Sequence, residues 1–141
     1  MNVILVGADD ALLEGLAQSF ATSGLTPHVV GTLYEACEVA ADAAPIMVVI
    51  DRHIAATSCG DALAIQLAPG GSLVLYRGSA EQEVLAMPAI LQRAVMAELT
   101  LPLERNRLLA LATHVRERAV ETGRTPAPRP ESDVRRDARP S

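Results

Sequence analysis

Three polar side chains that can take part in chemistry follow short apolar runs of the sequence. Asp51 ends the run MVVID, His53 comes two residues later, and Ser79 follows the run LVLYRG. A carboxylate at the carboxyl end of a central parallel strand lies where open α/β sheets keep their binding sites. Aspartate, histidine and serine also form hydrolytic triads, but Ser79 lacks the G-x-S-x-G surroundings of a nucleophile elbow. We therefore expect no catalytic residue here, and the role of Asp51 depends on its neighbours.

The charged residues limit what this chain can bind. All 12 basic residues are arginines, which excludes mechanisms that need a lysine ammonium, such as Schiff-base formation or a P-loop lysine. Residues 1–123 carry 14 acidic residues against seven arginines. Because nucleic-acid binding needs clustered cations, this acidic balance argues against a nucleic-acid partner. We expect protein partners instead.

The cysteines and the hydropathy pattern bear on cofactors and location. Cys37 and Cys59 are too few and too far apart for a zinc site. The sequence shows no signal peptide and no long apolar span. We therefore expect no metal, no cofactor and no membrane contact, with the cytoplasm as the default location.

Short apolar runs alternate with helical periodicity along the chain. Strands are predicted over 3–6, 27–30, 46–50 and 73–76, with a last short one near 99. Helices are predicted over 11–21, from a capping box at Thr32 and Glu35, over 61–67, over 81–96 with a break at Pro88, and from 104 to about 120. This alternation implies an α/β fold, a doubly wound five-stranded parallel sheet of the flavodoxin-like type.

The last residues differ in composition from the rest of the chain. Residues 123–141 contain four prolines, many charges and one valine. Such a segment cannot bury enough apolar surface to order itself. We therefore predict a single domain over 1–122 and a disordered Pro/Arg-rich tail over 123–141. A further hypothesis is that residues 124–141 do the binding while the globular part anchors them.

Three motifs resemble response-regulator receiver domains over residues 1 to about 120. VGADDALLEGL at 6–16 is similar to the first strand and helix of receivers, MVVID at 47–51 to the strand that ends in the phospho-accepting aspartate, and LTLPL at 99–103 to the end of the fifth strand. Ser79 lies 28 residues after Asp51, and Leu101 lies 22 residues after Ser79. These intervals resemble those between the receiver's aspartate, its Ser/Thr and its lysine.

The resemblance also implies where phosphorylation chemistry should be, and this chain departs from it. Receivers hold Mg²⁺ with an acidic pair beside the acceptor aspartate, because the charge of the phosphoryl group must be neutralised during transfer. The acidic-pair positions fall on Gly7 and Ala8, and neither side chain can bind a metal. Asp9 and Asp10 come just after them, where we expect helix capping and dipole complementation or, at most, a place on the cleft rim.

The remaining receiver positions are also changed. Leu101 stands where the family has its lysine, and Glu98 stands where it has its switch aromatic. His53 and Arg77 are expected on the rim of the cleft. Receivers often bind partners through their fourth helix, fifth strand and fifth helix, so the resemblance implies a candidate interface at Glu98 and Arg105.

The favoured interpretation is a degenerate pseudo-receiver, a non-enzymatic interaction module of two-component signalling that acts without phosphorylation. Its partner would be a kinase, a regulator or a second copy in a homodimer. One alternative is a working receiver, phosphorylated on Asp51, with Mg²⁺ held by Asp9 or Asp10. Another is a shortened dehydrogenase-like domain, which VGADDALLEGLAQSFATSG partly echoes, although it lacks the glycines and the lysine that such enzymes need.

Overall fold

Five parallel strands form the centre of this protein. The computed structural model describes residues 1–78 and 86–124. The strands are β1 (Asn2–Val6), β2 (Thr26–Val30), β3 (Met47–Asp51), β4 (Ser72–Gly78) and β5 (Val95–Leu101). Their order in the sheet is β2-β1-β3-β4-β5, the flavodoxin-like arrangement. The predicted fold class is confirmed, and the order differs from that of dinucleotide-binding domains, which disfavours the dehydrogenase-like reading.

Helices connect the strands and cover both faces of the sheet. They are α1 (Asp10–Thr22), α2 (Leu33–Ala43), α3 (Arg52–Thr57), α4 (Cys59–Leu63), α5 (Ala89–Ala94) and α6 (Arg105–Arg124). The predicted capping box is confirmed at α2, where Thr32 Oγ1 accepts from the backbone N–H of Glu35 at 3.2 Å. The carboxylate of Glu35 in turn accepts from the backbone N–H of Gly31 at 3.1 Å. This local signal could be read from sequence because both partners lie within one turn.

Alternate residues of the strands supply two apolar clusters, one on each face of the sheet. Because successive strand side chains point to opposite faces, Val3 and Val49 pack with α1 and α6, while Ile4 and Val48 pack with α2 and α4. Residues 47–50 of the central strand are fully buried. A strand covered on both faces must be apolar at every position, which explains its unbroken run of large apolar residues.

The connection after β3 differs from the prediction of one helix over 61–67. A helix begins directly after Asp51, because the side chain of this residue caps α3. A second short helix, α4, follows and ends at Leu63. Residues 65–68 lie outside any helix. The prediction was therefore wrong at both ends.

The prediction of a helix over 81–96 was also wrong in extent. Residues 81–85 lie outside the described part of the chain. The break predicted at Pro88 is present, and α5 begins after it. The helix stops before Val95, which pairs with Leu73 as the first residue of β5. A β-branched residue favours this extended conformation, so the last strand is longer than predicted.

The final helix runs further than expected. It continues to Arg124, two residues past the boundary predicted for the domain at 122. The first two residues of the predicted tail are thus helical. Residues 125–141 lie outside the described ranges, so the disorder of this segment stays a prediction.

Two arginines fasten the second half of α6 to loops at the amino ends of the strands. Arg116 donates to the carbonyl oxygen of Ser23 at 2.6 Å. Arg118 donates to the carbonyl oxygen of Gly70 at 3.0 Å and to the hydroxyl of Ser72 at 2.8 Å. Ser72 is buried, so this bond gives its hydroxyl a partner where water has little access. The helix is therefore held to the body by charge-assisted bonds as well as by apolar packing.

Candidate functional site at the carboxyl edge of the sheet

The residues predicted to form the site meet at the carboxyl edge of the three central strands. Asp51 ends β3 and pairs in register with Tyr76 of β4. Gly7 follows β1, whose last residue, Val6, pairs with Ile50. Gly7 and Tyr76 therefore flank Asp51 on its two sides. This is the edge at which open α/β sheets bind ligands.

The side chain of Tyr76 takes the space beside Gly7. A Cβ atom built on Gly7 would collide with the Tyr76 hydroxyl oxygen and lie 3.2 Å from its Cζ. Gly7 is buried, and Tyr76 is only 2% exposed. Position 7 must therefore be a glycine while Tyr76 keeps this rotamer, and no acidic side chain fits there.

Asp51 uses its carboxylate to cap a helix. Its Oδ1 atom accepts from the backbone N–H of His53 at 2.8 Å and from that of Ile54 at 3.2 Å. These bonds satisfy two of the unpaired donors at the start of α3. The Asp51 side chain remains half-buried at the sheet edge, and His53 is exposed in the first turn of the helix.

Asp9 caps the start of α1 in the same way. Its Oδ1 atom accepts from the backbone N–H of Leu12 at 3.1 Å, which is the capping role expected from sequence. Asp10 is exposed in the first turn of α1, where a negative charge complements the helix dipole. Ala8 is exposed and offers no ligand atom in its side chain.

These positions do not make a magnesium site. Mg²⁺ prefers several oxygen ligands in octahedral geometry, including one or two carboxylates. Within residues 1–78 and 86–124, no group of three or more His, Cys, Asp or Glu side chains is arranged to hold a metal ion. The phenol of Tyr76 fills the space beside Gly7 where a side-chain carboxylate would have to lie. The donor set around Asp51 therefore does not fit the ion that receiver chemistry uses.

An ion pair crosses the sheet next to this site. Arg52 Nε lies 2.9 Å from Glu98 Oε2, and the Arg52 side chain is only 11% exposed, against 43% for Glu98. Among the residues that the structure describes, Arg52 Nε has no hydrogen-bond partner of good geometry, so the contact is a charge pair rather than a directed hydrogen bond. Arg52 directly follows β3, whereas Glu98 lies in the edge strand β5, with β4 between them. The pair therefore links the start of α3 to the edge strand β5 across β4.

The position predicted to match the receiver's lysine is apolar and buried. Leu101 has no exposed surface and belongs to the core cluster covered by α1 and α6. Arg77, expected on the cleft rim, is half-buried in β4. Ser79, the predicted Ser/Thr position, lies outside the described residues.

The two residues predicted as an interface are not brought together. Glu98 pairs in register with Leu75, which packs on the α2 side of the sheet, and it contacts Arg52. Arg105 is exposed at the start of α6 and faces α1 on the other side. Glu98 and Arg105 form no ion pair with each other in the described part of the chain, and their role as an interface stays a prediction.

Next to Arg105, Glu104 closes the turn between β5 and α6. Its Oε1 atom accepts from the backbone N–H of Thr100 at 2.7 Å, and its Oε2 atom accepts from Arg107 at 3.0 Å. These bonds favour the charged form and hold the pKa of Glu104 below its usual value, mainly through the backbone donor.

Sequence reasoning missed the Arg52–Glu98 pair and the role of Tyr76. A signal for the pair was present, because a basic residue directly after Asp51 and an acidic residue at the switch position have opposite charges. Tyr76 carried no comparable signal, since a tyrosine in a strand is ordinary. Only the strand order places it beside Gly7.

The fold matches solved structures of receiver domains. The chain is 18% identical to NtrX from Brucella abortus with a TM-score of 0.66, covering 86% of this chain and 27% of that one, so it spans about a quarter of NtrX. It is 19% identical to a response regulator receiver modulated diguanylate cyclase from Pelobacter carbinolicus, with a TM-score of 0.63 and coverage of 86% and 97%. A CheY-like response regulator receiver domain protein from Methanospirillum hungatei is 16% identical, with a TM-score of 0.59 and coverage of 85% and 97%.

The comparisons by sequence give a different result. No family model matches the chain, and no curated protein matches it. In the described part of the chain, no helix combines the length and the apolar character needed to cross a membrane. The likeness to the solved structures above shows that the chain has the fold that response-regulator receiver domains share.

Proposed function

We propose that this chain is a non-enzymatic, receiver-like interaction module of two-component signalling, and that its binding surface does not depend on phosphorylation of Asp51. The observation that carries the proposal is the contact of Tyr76 with Gly7. A buried phenol occupies the place beside Asp51 where a metal-binding carboxylate would be needed. Without that carboxylate, the charge of an incoming phosphoryl group is not neutralised.

The state of Asp51 itself supports this proposal. Its Oδ1 atom is already engaged by two backbone N–H groups of α3. A phosphorylated Asp51 could not cap the helix in the same way, so modification would oppose a local bond instead of completing a prepared site. The carboxylate therefore acts as part of the fold.

The Arg52–Glu98 pair supports a permanent conformation. A nearly buried arginine is paired with a glutamate on the edge strand, at the position that carries an aromatic switch in receivers. Breaking such a pair leaves a charge without its partner, which opposes a movement of β5 relative to α3. We propose that this part of the surface is held in one state.

The partner that we propose is a protein. The acidic body disfavours nucleic acid, and no membrane contact is proposed. One of the similar structures is described as a response regulator receiver modulated diguanylate cyclase. For this chain we propose a kinase, a regulator or a second copy as the partner class. The proposed location is the cytoplasm.

The test is to add beryllofluoride and Mg²⁺ to the isotopically labelled chain and to follow the backbone amide spectrum. This mimic of a phosphoryl group tests the metal site, the aspartate and the conformational response together. We expect the same spectrum with Mg²⁺ alone and with both reagents. The variant Asp51→Asn is the matched control, because asparagine keeps the helix cap but cannot form the acyl-phosphate analogue.

A change of the spectrum on addition of both reagents would contradict the proposal if it depends on Asp51. Shifts that cluster around Asp51 in the wild type and are absent in Asp51→Asn would establish a working receiver, with Mg²⁺ held in an unusual way by Asp9 or Asp10. Shifts that are equal in both proteins would come from ion binding elsewhere and would leave Asp51 without a phosphoryl-accepting role.

A further inference from the structure

The two cysteines of the chain lie on neighbouring helices. Cys37 belongs to α2 and Cys59 is the first residue of α4, and both are free thiols that are half-buried. They pack against the same apolar cluster, on the face of the sheet that α2 and α4 cover. The sequence contains no other cysteine. A disulfide within the chain can therefore join only these two residues.

Cys37 already contacts the helix that carries Cys59. Its Sγ atom lies 3.7 Å from the carbonyl oxygen of Asp61, to which the thiol donates. Asp61 comes two residues after Cys59 in α4. Residues two apart in a helix have Cα atoms about 5–6 Å apart. The contact between the two helices therefore lies within one turn of the second thiol.

Of the two helices, α4 is the one that can adjust its position. It has five residues, its N-cap Ser58 makes no side-chain hydrogen bond, and residues 65–68 after it lie outside any helix. By contrast, the capping box of Thr32 and Glu35 holds the start of α2. A short helix without a cap has few bonds to lose, so it shifts at low cost. A disulfide needs Cα atoms about 4.4–6.8 Å apart, and a shift of α4 towards α2 brings the cysteines to that range.

We infer that Cys37 and Cys59 form a reversible, redox-sensitive disulfide that fastens α4 to α2. The oxidant is a low-molecular-weight disulfide, of which oxidised glutathione is one example. Disulfides that form in a reducing compartment are usually transient or redox-sensing, which agrees with the location proposed above. The inference goes beyond the proposed function and does not rest on it, since the crosslink does not involve Asp51.

The two thiols have different roles in the reaction. Burial and, to a smaller extent, the charge of Asp61 raise the pKa of the Cys37 thiol above its usual value. Cys37 therefore stays protonated, and Cys59 attacks the small disulfide first. Cys59 forms a mixed disulfide, and its proton passes to the departing small thiolate. Cys37 then attacks the Sγ atom of Cys59 and gives its proton to the second departing thiolate, so the products are one Cys37–Cys59 disulfide and two reduced small thiols.

The experiment is incubation of the folded chain with oxidised glutathione, stopped at intervals by acid and followed by alkylation and intact-mass measurement. We expect the wild type to lose two hydrogens, to keep no thiol for alkylation and to give a peptide in which Cys37 is joined to Cys59. Cys37→Ser should stop with one glutathione on Cys59. Cys59→Ser should take up glutathione at least about tenfold more slowly, because the remaining thiol is protonated. A wild type that carries glutathione on both cysteines overturns the inference.

Two controls separate a prepared pair from mere closeness along the chain. In the urea-unfolded chain the cysteines are 22 residues apart and meet only by chain motion. The crosslink should close at least about tenfold faster in the folded protein. The variant Cys37→Ser/Glu38→Cys keeps two thiols but moves one to an exposed position of α2, and it should close at least about tenfold more slowly than the wild type. Equal rates in either comparison contradict the inference.

Hydrogen exchange tests whether the disulfide fastens α4. In the oxidised wild type, the backbone amides of α4 should exchange at least about tenfold more slowly than in the reduced protein, and a reductant should restore the faster rate. The amides of α1, on the other face of the sheet, serve as the internal control. Equal exchange of α4 in both states would overturn the fastening. Beryllofluoride and Mg²⁺ are absent from these measurements, so this inference and the proposed function can fail separately.

Discussion

Arg52 and Glu98 form an ion pair between the start of α3 and the edge strand β5, with Nε and Oε2 2.9 Å apart. The two side chains differ in exposure, since that of the arginine is nearly buried and that of the glutamate is almost half exposed. Removing the glutamate leaves a charge in a poorly solvated place, whereas removing the arginine leaves a glutamate that water can reach. This asymmetry leads to a prediction.

We expect Glu98→Gln to lower the free energy of unfolding by about 1–3 kcal/mol, and Arg52→Met to change it by less than about 1 kcal/mol. Methionine keeps most of the volume of the arginine stem and brings no charge. Urea unfolding of both variants measures the difference. Equal losses in the two variants would mean that water screens the pair, and that it does not hold β5 to α3.

The Gly7–Tyr76 contact predicts that a side chain at position 7 lowers the stability, and that the loss depends on the Tyr76 hydroxyl. Gly7→Ala should destabilise the protein by about 1–3 kcal/mol, because the new Cβ collides with the phenol in a packed interior. In a Tyr76→Phe background, which lacks the hydroxyl, the same substitution should cost clearly less. A double-mutant cycle by thermal or urea unfolding gives the coupling. If the two effects simply add, Tyr76 does not occupy the space that we assign to it.

The helix cap at Asp51 predicts different effects of two substitutions. Asp51→Ala removes the acceptor for His53 and Ile54 and should cost about 0.5–2 kcal/mol, while Asp51→Asn should stay close to the wild type. Chemical unfolding measures both, and the two variants differ only in the capping group. A stable alanine variant would show that α3 does not need its cap.

Glu104 gives the stability a pH dependence of known sign. Its pKa is lower in the folded protein than its usual value of 4.5, so the folded state favours the charged form. The resulting stabilisation is present above the unfolded pKa and is lost as pH falls through the folded pKa. We expect Glu104→Gln to unfold less steeply with falling pH below about pH 4.5 than the wild type. An equal loss of stability with falling pH in both proteins would contradict this prediction.

The sequence predicts well whatever depends on neighbours along the chain. The capping box of Thr32 and Glu35 spans three residues, and the unbroken apolar run of the central strand reflects burial on both faces. The five strands follow from such patterns, and the rules for parallel sheets predict the doubly wound fold class, whereas the strand order is read from the structure. The helix after Asp51 was placed too late, because an aspartate that ends a strand reads equally well as a site residue and as a cap.

The contacts that define the candidate site lie beyond such patterns. Gly7 meets Tyr76, and Arg52 meets Glu98, across different strands. Each pair becomes visible only when the strand order and register place its members side by side. For that reason Gly7 and Ala8 could be singled out from sequence, while the contact of Gly7 with Tyr76 could not.

The attachment of α6 separates the two ends of the molecule. This helix of 20 residues starts at the carboxyl edge of the sheet and is pinned near its end by Arg116 and Arg118 to loops at the opposite edge. At 1.5 Å per residue its length is about 30 Å. The end of α6 therefore lies on the far side of the sheet from Asp51. A cargo or domain fused there can be carried without competing for the surface that the rest of the chain presents.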